Sequence, residues 1–485
     1  MKKPNPKTLS DEVNPEELGA RYWYERYCEQ RAETESLKKR VSDLEESLES
    51  LSEKLRKLTQ RNSQNSSQPP SSDGYKKPSR PKKKPGRKRG PKYNHPGKTR
   101  NGFGYVDEKV VLEVGQCPNC GADLEVEAGK VKRQQVVELV PKLVEVKEYE
   151  RPGYHCQECH WQGQADLPVG CQEGFSYGGR LSSLVGWLGY GGNLSWSKQR
   201  EVVKSFLGVP LSQGSLAKCR AWFNQALQPA YERWRQWIQQ PGVRCVDETS
   251  YRVNGVNHWM WVATAPECCV LFLAPTRSST EVKKLLGEDF SGILSSDCWS
   301  AYSPQSAAAK QKCLAHIERK LKELEGSRLA ANRHFAQQVF PILQQGRQAH
   351  RDYHLGELSL EALQEKRPQL EEDLRKVLDH PPKGGWAADA QTLAHRFRRH
   401  ESEWFTFMSY PQVSPDNNDA ERALRPVVIH RKVSGGARSD WGAQLVAMMF
   451  SFLESMRRQG RNAIDQLFEL LSSSGCSPPL PTNPG

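Results

Sequence analysis

No stretch of this 485-residue sequence strings together the roughly 18 apolar residues that a membrane-spanning helix requires, and its opening residues lack a secretory leader. These absences exclude an integral membrane or exported protein and leave the expectation of a soluble, cytoplasmic one. Acidic residues are also in short supply: 57 Asp and Glu against 70 Lys and Arg give a formal charge of +13 and a pI near 9.1. That balance favours an anionic partner such as nucleic acid. Hydrophobic residues make up only 36% of the chain, enough for globular cores if some segments stay outside them. The cysteines number thirteen. An odd count without an export signal argues against a disulfide framework and reserves any tight cluster for metal.

What is present is modular. Leu37, Val41, Leu44, Leu48, Leu51, Leu55 and Leu58 recur at alternating spacings of four and three, which keeps one apolar seam facing a partner helix. The spacing predicts a short coiled coil, either a parallel dimer or a helix docked on its own chain. From Gly74 to Arg100 the sequence carries twelve Lys or Arg and no acid among Pro, Ser and Gly. Such a segment buries too little to fold alone, so a disordered basic linker is expected. Lys82, Lys83, Lys84, Arg87, Lys88 and Arg89 are its candidate DNA contacts, able to follow a phosphate backbone or enter a minor groove.

"CPNC" at 117–120 and "CQEC" at 156–159 are two Cys-x-x-Cys knuckles separated by 35 residues. Cys117, Cys120, Cys156 and Cys159 suit the closed tetrahedral shell of a structural Zn²⁺, with no open position for catalysis. The intervening "VVELVPKLVEVKEYE" alternates apolar and charged residues and predicts a strand pair, making a zinc ribbon. Residues 178–240 read as helices, the last capped by Ser212 or Ser215. Breaks at Gly208 and Pro210 suggest a helix-turn-helix-like region, either reading DNA with its last helix or merely packing.

Beyond Pro241 the texture changes. "VRCVDETSYRVNG", "HWMWVATA" and "CCVLFLAPT" predict a meander of three strands, "STEVKKLLGEDF" a helix, and "GILSSDCWSAY" a fourth strand ending in Asp297. Three antiparallel strands, a helix and a further strand open a ribonuclease H-like fold. Asp247 and Asp297 would then face one another on neighbouring strands. Two such carboxylates, with a third, can share hard cations that support phosphoryl transfer. "SPDNNDAERALRP" at 414–426 supplies the third: Asp416 and Asn417 read as helix caps, with Glu421 on the first turns of the helix.

These segments together resemble the bacterial insertion-sequence transposases of family sixty-six. "VDET" at 246–249, "SDCWSAY" at 296–302, "CLAHIERKL" at 313–321 and "PDNNDAERALRP" at 415–426 stand in that family's order, after a coiled coil, a polar linker and a double-knuckle zinc module. The resemblance implies a multidomain DDE enzyme with a ribonuclease H-like α/β core, whose metal-binding triad is Asp247, Asp297 and Glu421. It implies two Mg²⁺ ions, with Mn²⁺ as a substitute, and double-stranded DNA as partner, both transposon ends and target. It further implies association as a dimer or larger on DNA, a nucleoid location and possible accessory proteins. His316, Arg319, Lys320, Arg422, Arg425, Arg431 and Lys432 become candidate phosphate contacts, with surface pairing or a structural role as the alternative. Cys298 stands where the family has Gly, and "RKVSGGARSDWG" replaces a more aromatic stretch.

The expected layout is a helical segment at 1–62, the linker at 63–104, the zinc ribbon at 105–172 and the helical region at 173–240. A first core part at 241–312 follows, then a helical insertion at 313–410, a second core part at 411–470 and a disordered tail at 471–485. The expected activity is strand cleavage at the element's end, followed by attack of the freed 3′-hydroxyl on target DNA. A zinc-containing protein that binds inverted repeats without cutting is the alternative.

Overall fold

Strand β3, Val243–Val253, is the axis on which the rest is laid. It turns through Asn254 and Gly255, both at positive φ (47° and 81°), into antiparallel β4, Val256–Thr264. A two-residue Asn-Gly turn matches the twist of the strands it joins, which sets the register Val253↔Val256 and places Asp247 opposite Val262. Strand β5, Cys269–Ala274, pairs antiparallel with β4, and helix α5, Ser279–Leu286, carries the chain back across the sheet. Strands β6, Ile293–Ser296, and β7, Ala309–Lys312, then add in parallel on the other side of β3, giving the order β5-β4-β3-β6-β7. The polar "AKQK" of β7 carries no apolar alternation, which is why only four strands are legible in the sequence here.

This computed structural model describes residues 20–59, 106–110, 119, 135, 143–159 and 162–472. The chain divides into two compact units, 62–152 and the remainder. Cys117, Cys120, the basic linker with Lys82, Lys83, Lys84, Arg87, Lys88 and Arg89, and the tail from 473 onward lie outside the described residues.

Helix α1, Ala20–Thr59, contains the predicted seam, and Leu37, Val41, Leu44, Leu48, Leu51 and Leu55 are all exposed. Of the stretch expected to form a strand pair, residues 136–142 lie outside the described residues. Residues 143–150 form no ladder, and the short hairpin β1, Gly153–His155, with β2, Gln162–Gln164, brackets the second knuckle instead. A Cys-x-x-Cys pair needs a tight turn, and a hairpin loop supplies it.

The predicted helices appear as α2, Gly179–Tyr190; α3, Trp196–Leu207; and α4, Gln213–Ile238, where Ser212 accepts the Ser215 N–H at 2.9 Å. They do not make a separate module. Leu216, Phe223, Leu227, Tyr231 and Trp234 line α4 at helical spacing and are buried in the same core as the sheet, and Tyr231 donates to the Leu271 carbonyl of β5 at 2.7 Å. That face of α4 is occupied by packing.

Helices α6, Leu314–Glu325; α7, Ala330–His354; α8, Leu360–Asp379; α9, Ala388–Arg399; and α10, Thr406–Ser409, enclose a second core of Leu, Phe and Trp side chains. These helices stand between β7 and the helix that carries Glu421. Helix α11, Asn418–Ser434, then returns to the sheet, and α12, Asp440–Arg458, packs on β5, its Ser451 and Ser455 accepting the Leu271 and Cys269 N–H groups at 2.8 and 3.0 Å. Helix α13, Ala463–Ser472, closes the core. Between α11 and α12, Gly436 sits at φ 99° against the Arg252 carbonyl, where a Cβ would clash, and Ala437 pairs with the end of β3. The "SGGA" segment thereby docks the loop on β3.

Candidate active site

Parallel pairing puts Val243, Arg244 and Cys245 beside Ile293, Leu294 and Ser295, a constant offset of fifty. Continued two residues past the last paired residues, the same offset relates Asp247, inside β3, to Asp297, which follows the last residue of β6, and the Asp297 charge is felt at the Asp247 carboxyl. Both are half-buried. The Asp247 carboxylate accepts its neighbour's N–H, from Glu248, at 2.9 Å, and Asp297 accepts the Trp299 N–H at 2.8 Å. Among the described residues neither has a basic ion-pair partner.

Helix α11 crosses the face of β3 that carries Asp247 and Thr249, because Arg431 donates to Thr249 Oγ1 at 2.9 Å and to Ser250. At the other end of α11, Asn417 Nδ2 donates to the Val246 carbonyl at 2.8 Å. Glu421 is thereby carried to the aspartates. Burial, then the charges of Glu248, Asp297 and Glu421, push the Asp247 carboxyl up to about 8. Crowded acids with little cationic compensation suit a hard divalent cation, whose charge would offset the repulsion between them. The donor set therefore fits the implied Mg²⁺ chemistry.

The remaining acids of "SPDNNDAERALRP" have other tasks. Asp416 does not cap α11; it accepts the Ala315 N–H of α6 at 3.0 Å and is clamped by Arg347, which also binds Glu318. Asn417 occupies the cap position of α11, yet its side chain serves β3 rather than the helix. Asp419 accepts from Thr264 Oγ1 at 2.6 Å and from Arg458 at 2.9 Å, so it ties α11 to β4 and α12. These partners lie far away in sequence, which is why capping is the local reading for Asp416.

Two groups went unnoticed in the sequence. Glu248 points away from Asp247 into the interior, where it meets Tyr302 and Arg277, and burial raises its carboxyl. Arg277 in turn lies 4.0 Å over the Trp299 ring and 4.8 Å over Trp259. Trp299 supplies the N–H that Asp297 accepts, so this network braces the second aspartate. Strand alternation is the signal that would have found Glu248. The second group is Cys313, whose Sγ accepts the Asn417 N–H at 3.2 Å beside His316 and Glu421.

Of the basic candidates, Arg319 and His316 reach Glu421 Oε1 at 3.4 and 3.6 Å. Lys320 pairs with Glu323 at 2.9 Å, and Arg422 with Asp419 at 3.5 Å. Arg425 and Lys432 are exposed, whereas Arg431 is half-buried and spends its guanidinium on β3. Of the zinc candidates, Cys156 and Cys159 sit in the hairpin turn, and hydrogen bonds from Cys159 hold the Cys156 thiol below its usual range.

The family model described as "Transposase IS66 family" matches residues 174–445, more than half of the chain and all three acids. The chain belongs to the IS66 transposase family. In this transposase, residues 115–160 match the zinc-finger binding domain of transposase IS66, a range that holds all four cysteines and supports a structural Zn²⁺. Residues 19–101 match a family of unknown function, DUF6444. The transposase is 23% identical over 384 residues to the uncharacterized protein y4hP of Sinorhizobium fredii (strain NBRC 101917 / NGR234), covering 72% of this chain and 69% of that one. It is 22% identical over 373 residues to the uncharacterized protein y4jD of the same organism, covering 70% of each. Among the described residues no helix is long and apolar enough to cross a membrane.

Proposed function

We propose that this transposase cuts DNA at the ends of its element and joins them to target DNA, using Asp247, Asp297 and Glu421 on a ribonuclease H-like core. What supports this reading is the constant fifty-residue offset between β3 and β6, whose continuation leads to the two aspartates, together with the charges of Asp297 and Glu421 felt at Asp247. The sheet, three antiparallel strands followed by two parallel ones in the order β5-β4-β3-β6-β7, supports the ribonuclease H-like assignment.

Asp247, Asp297 and Glu421 would hold two Mg²⁺ ions, which when bound favour a nucleophilic oxygen and offset charge on the leaving one. In the first step water attacks a phosphorus at the element's end, the P–O3′ bond breaks, and a free 3′-hydroxyl and a 5′-phosphate result. In the second, that 3′-oxygen attacks a target phosphorus and displaces a target 3′-oxygen, which leaves with a proton. Neither step needs a covalent protein–DNA bond, which suits a site built of carboxylates. Glu248, Tyr302, Arg277 and Trp299 keep Asp297 in place, and Asn417 keeps α11 against β3. Arg319, Lys320, Arg422, Arg425 and Lys432 offer positive charge around the site for the phosphate backbone. Two ends must be joined, so the protein acts as a dimer or larger assembly on DNA, with the exposed seam of α1 as one interface.

The test is strand cleavage of end-containing DNA in Mg²⁺. Asp247→Asn and Glu421→Gln, each still folded by circular dichroism, should lose cleavage by at least about 10³-fold while retaining DNA binding. Unchanged cleavage in either variant overturns the triad. Salt-sensitive binding with no product from the wild type favours the binding-only alternative.

A further inference from the structure

Helices α6 and α11 begin against one another. The Leu314 N–H donates to the Pro415 carbonyl at 2.9 Å, the Ala315 N–H to Asp416 at 3.0 Å, and, from the opposite side, the Asn417 N–H to Cys313 Sγ at 3.2 Å. This reciprocal joint fixes three different donors in one place. Cys313 immediately precedes α6 and His316 lies in its first turn, so their Cys-x-x-His spacing aims both side chains the same way. Glu421, from the first turns of α11, completes the group: one ligand atom each from Cys313, His316 and Glu421 lies within 4.8 Å of the others.

We propose that Cys313, His316 and Glu421 form a binding site for Zn²⁺, separate from the cysteine knuckles, that captures the catalytic glutamate and thereby inhibits the transposase. A sulfur and an imidazole select a borderline-soft ion over Mg²⁺, which prefers oxygen. One thiolate, one carboxylate and a neutral imidazole sum to two negative charges and balance the ion. Ligands of tetrahedral Zn²⁺ lie roughly 3.3–3.6 Å apart given bond lengths of about 2.0–2.3 Å, so modest side-chain rotations close the observed spacing. Among the described residues His316 Nδ1 is buried without a hydrogen-bond partner, an orphaned nitrogen that needs one. Arg319, now 3.4 Å from Glu421, is largely exposed, and its Nε also donates to the Ala315 carbonyl at 3.3 Å, so the ion pair is open to exchange with a metal. The inhibitory consequence rests on Glu421 being catalytic; the binding itself does not.

Full-length protein with its knuckles loaded with Zn²⁺ is titrated with Co²⁺ and followed by absorption. One further equivalent should bind and give a sulfur-to-cobalt charge-transfer band. Cys313→Ser should abolish that band, His316→Ala should weaken binding by at least about tenfold, and Asp247→Asn should leave it intact. In the cleavage assay, with each protein compared to its own rate in Mg²⁺ alone, added Zn²⁺ should inhibit the wild type but not Cys313→Ser. An unchanged band in Cys313→Ser and His316→Ala, or equal Zn²⁺ inhibition of wild type and Cys313→Ser, overturns the proposal. Should Cys313→Ser misfold, His316→Ala alone decides the binding. A wild type that takes up the Co²⁺ but cuts no DNA would refute the catalytic reading and leave the metal site standing.

Discussion

Asn417 reaches across 171 positions of sequence to donate its side-chain amide to the carbonyl of Val246, 2.8 Å away, and so fastens the start of the glutamate-bearing helix to the residue before Asp247. Both residues are fully buried. Asn417→Ala strands the Val246 carbonyl and should cost about 1–3 kcal/mol of stability. Because the bond also sets the distance from α11 to β3, single-turnover cleavage should fall by more than DNA affinity does. Asn418→Ala, whose side chain only reaches Asp416 at 3.4 Å, should have a smaller effect on both.

The network behind Asp297 predicts a second outcome. Tyr302→Phe removes the hydroxyl donated to Glu248 and leaves that buried carboxylate with Arg277 as its main side-chain partner. Chemical denaturation should show a loss of about 1–3 kcal/mol. DNA binding should be unchanged, since neither side chain is offered to solvent.

His430 gives the protein an acid sensitivity of known sign. Burial, then the charge of Arg220, holds its imidazole down to about 4, and it stacks on Tyr190 with centroids 5.6 Å apart. In the unfolded chain the same group takes a proton near its ordinary value of 6.5. Between those values the unfolded state binds more protons, so stability is lost as pH falls from about 6.5 to 4 and is untouched above that window. The loss amounts to roughly 3 kcal/mol. His430→Phe keeps a ring there and removes the proton site. Urea unfolding at pH 7 and pH 4.5 should show a smaller pH difference for this variant than for the wild type.

Zinc removal should act locally. Strands β1 and β2 are three residues each, too short to persist without the knuckle that joins them. Chelation, or Cys156→Ser, should abolish amide protection at 153–164 and weaken DNA binding. Protection in β3–β5 and α12, whose core contains neither Cys156 nor Cys159 among the described residues, should stay at the wild-type level.

Much of this was legible in advance because it is local. The Asn254-Gly255 turn, the helix cap at Ser212, the period of α4 and the paired cysteines each depend on residues a few positions apart. Strand β7 was not legible: its "AKQK" carries no apolar pattern and forms only because β6 offers an open edge. Nor could residues 173–240 be seen as part of the main core, since an apolar helical face does not announce what will cover it.

By itself the sequence determined the inventory: two aspartates fifty positions apart, one within a strand and one just past a strand's end, a late acidic helix start, two cysteine knuckles and a basic excess. Only tertiary structure decided how the acids of "SPDNNDAERALRP" divide their work. Asp416 is consumed by α6 and Arg347, and Asp419 by Thr264 and Arg458, while Glu421 is left to face Asp247, Asp297, Cys313 and His316. The nearest of those named is Arg458, 39 positions from Asp419, and the local Arg422–Asp419 pair adds to it without fixing where the helix sits. A carboxylate's role follows from what the folded chain brings within hydrogen-bonding distance of it, and local sequence carries no record of that.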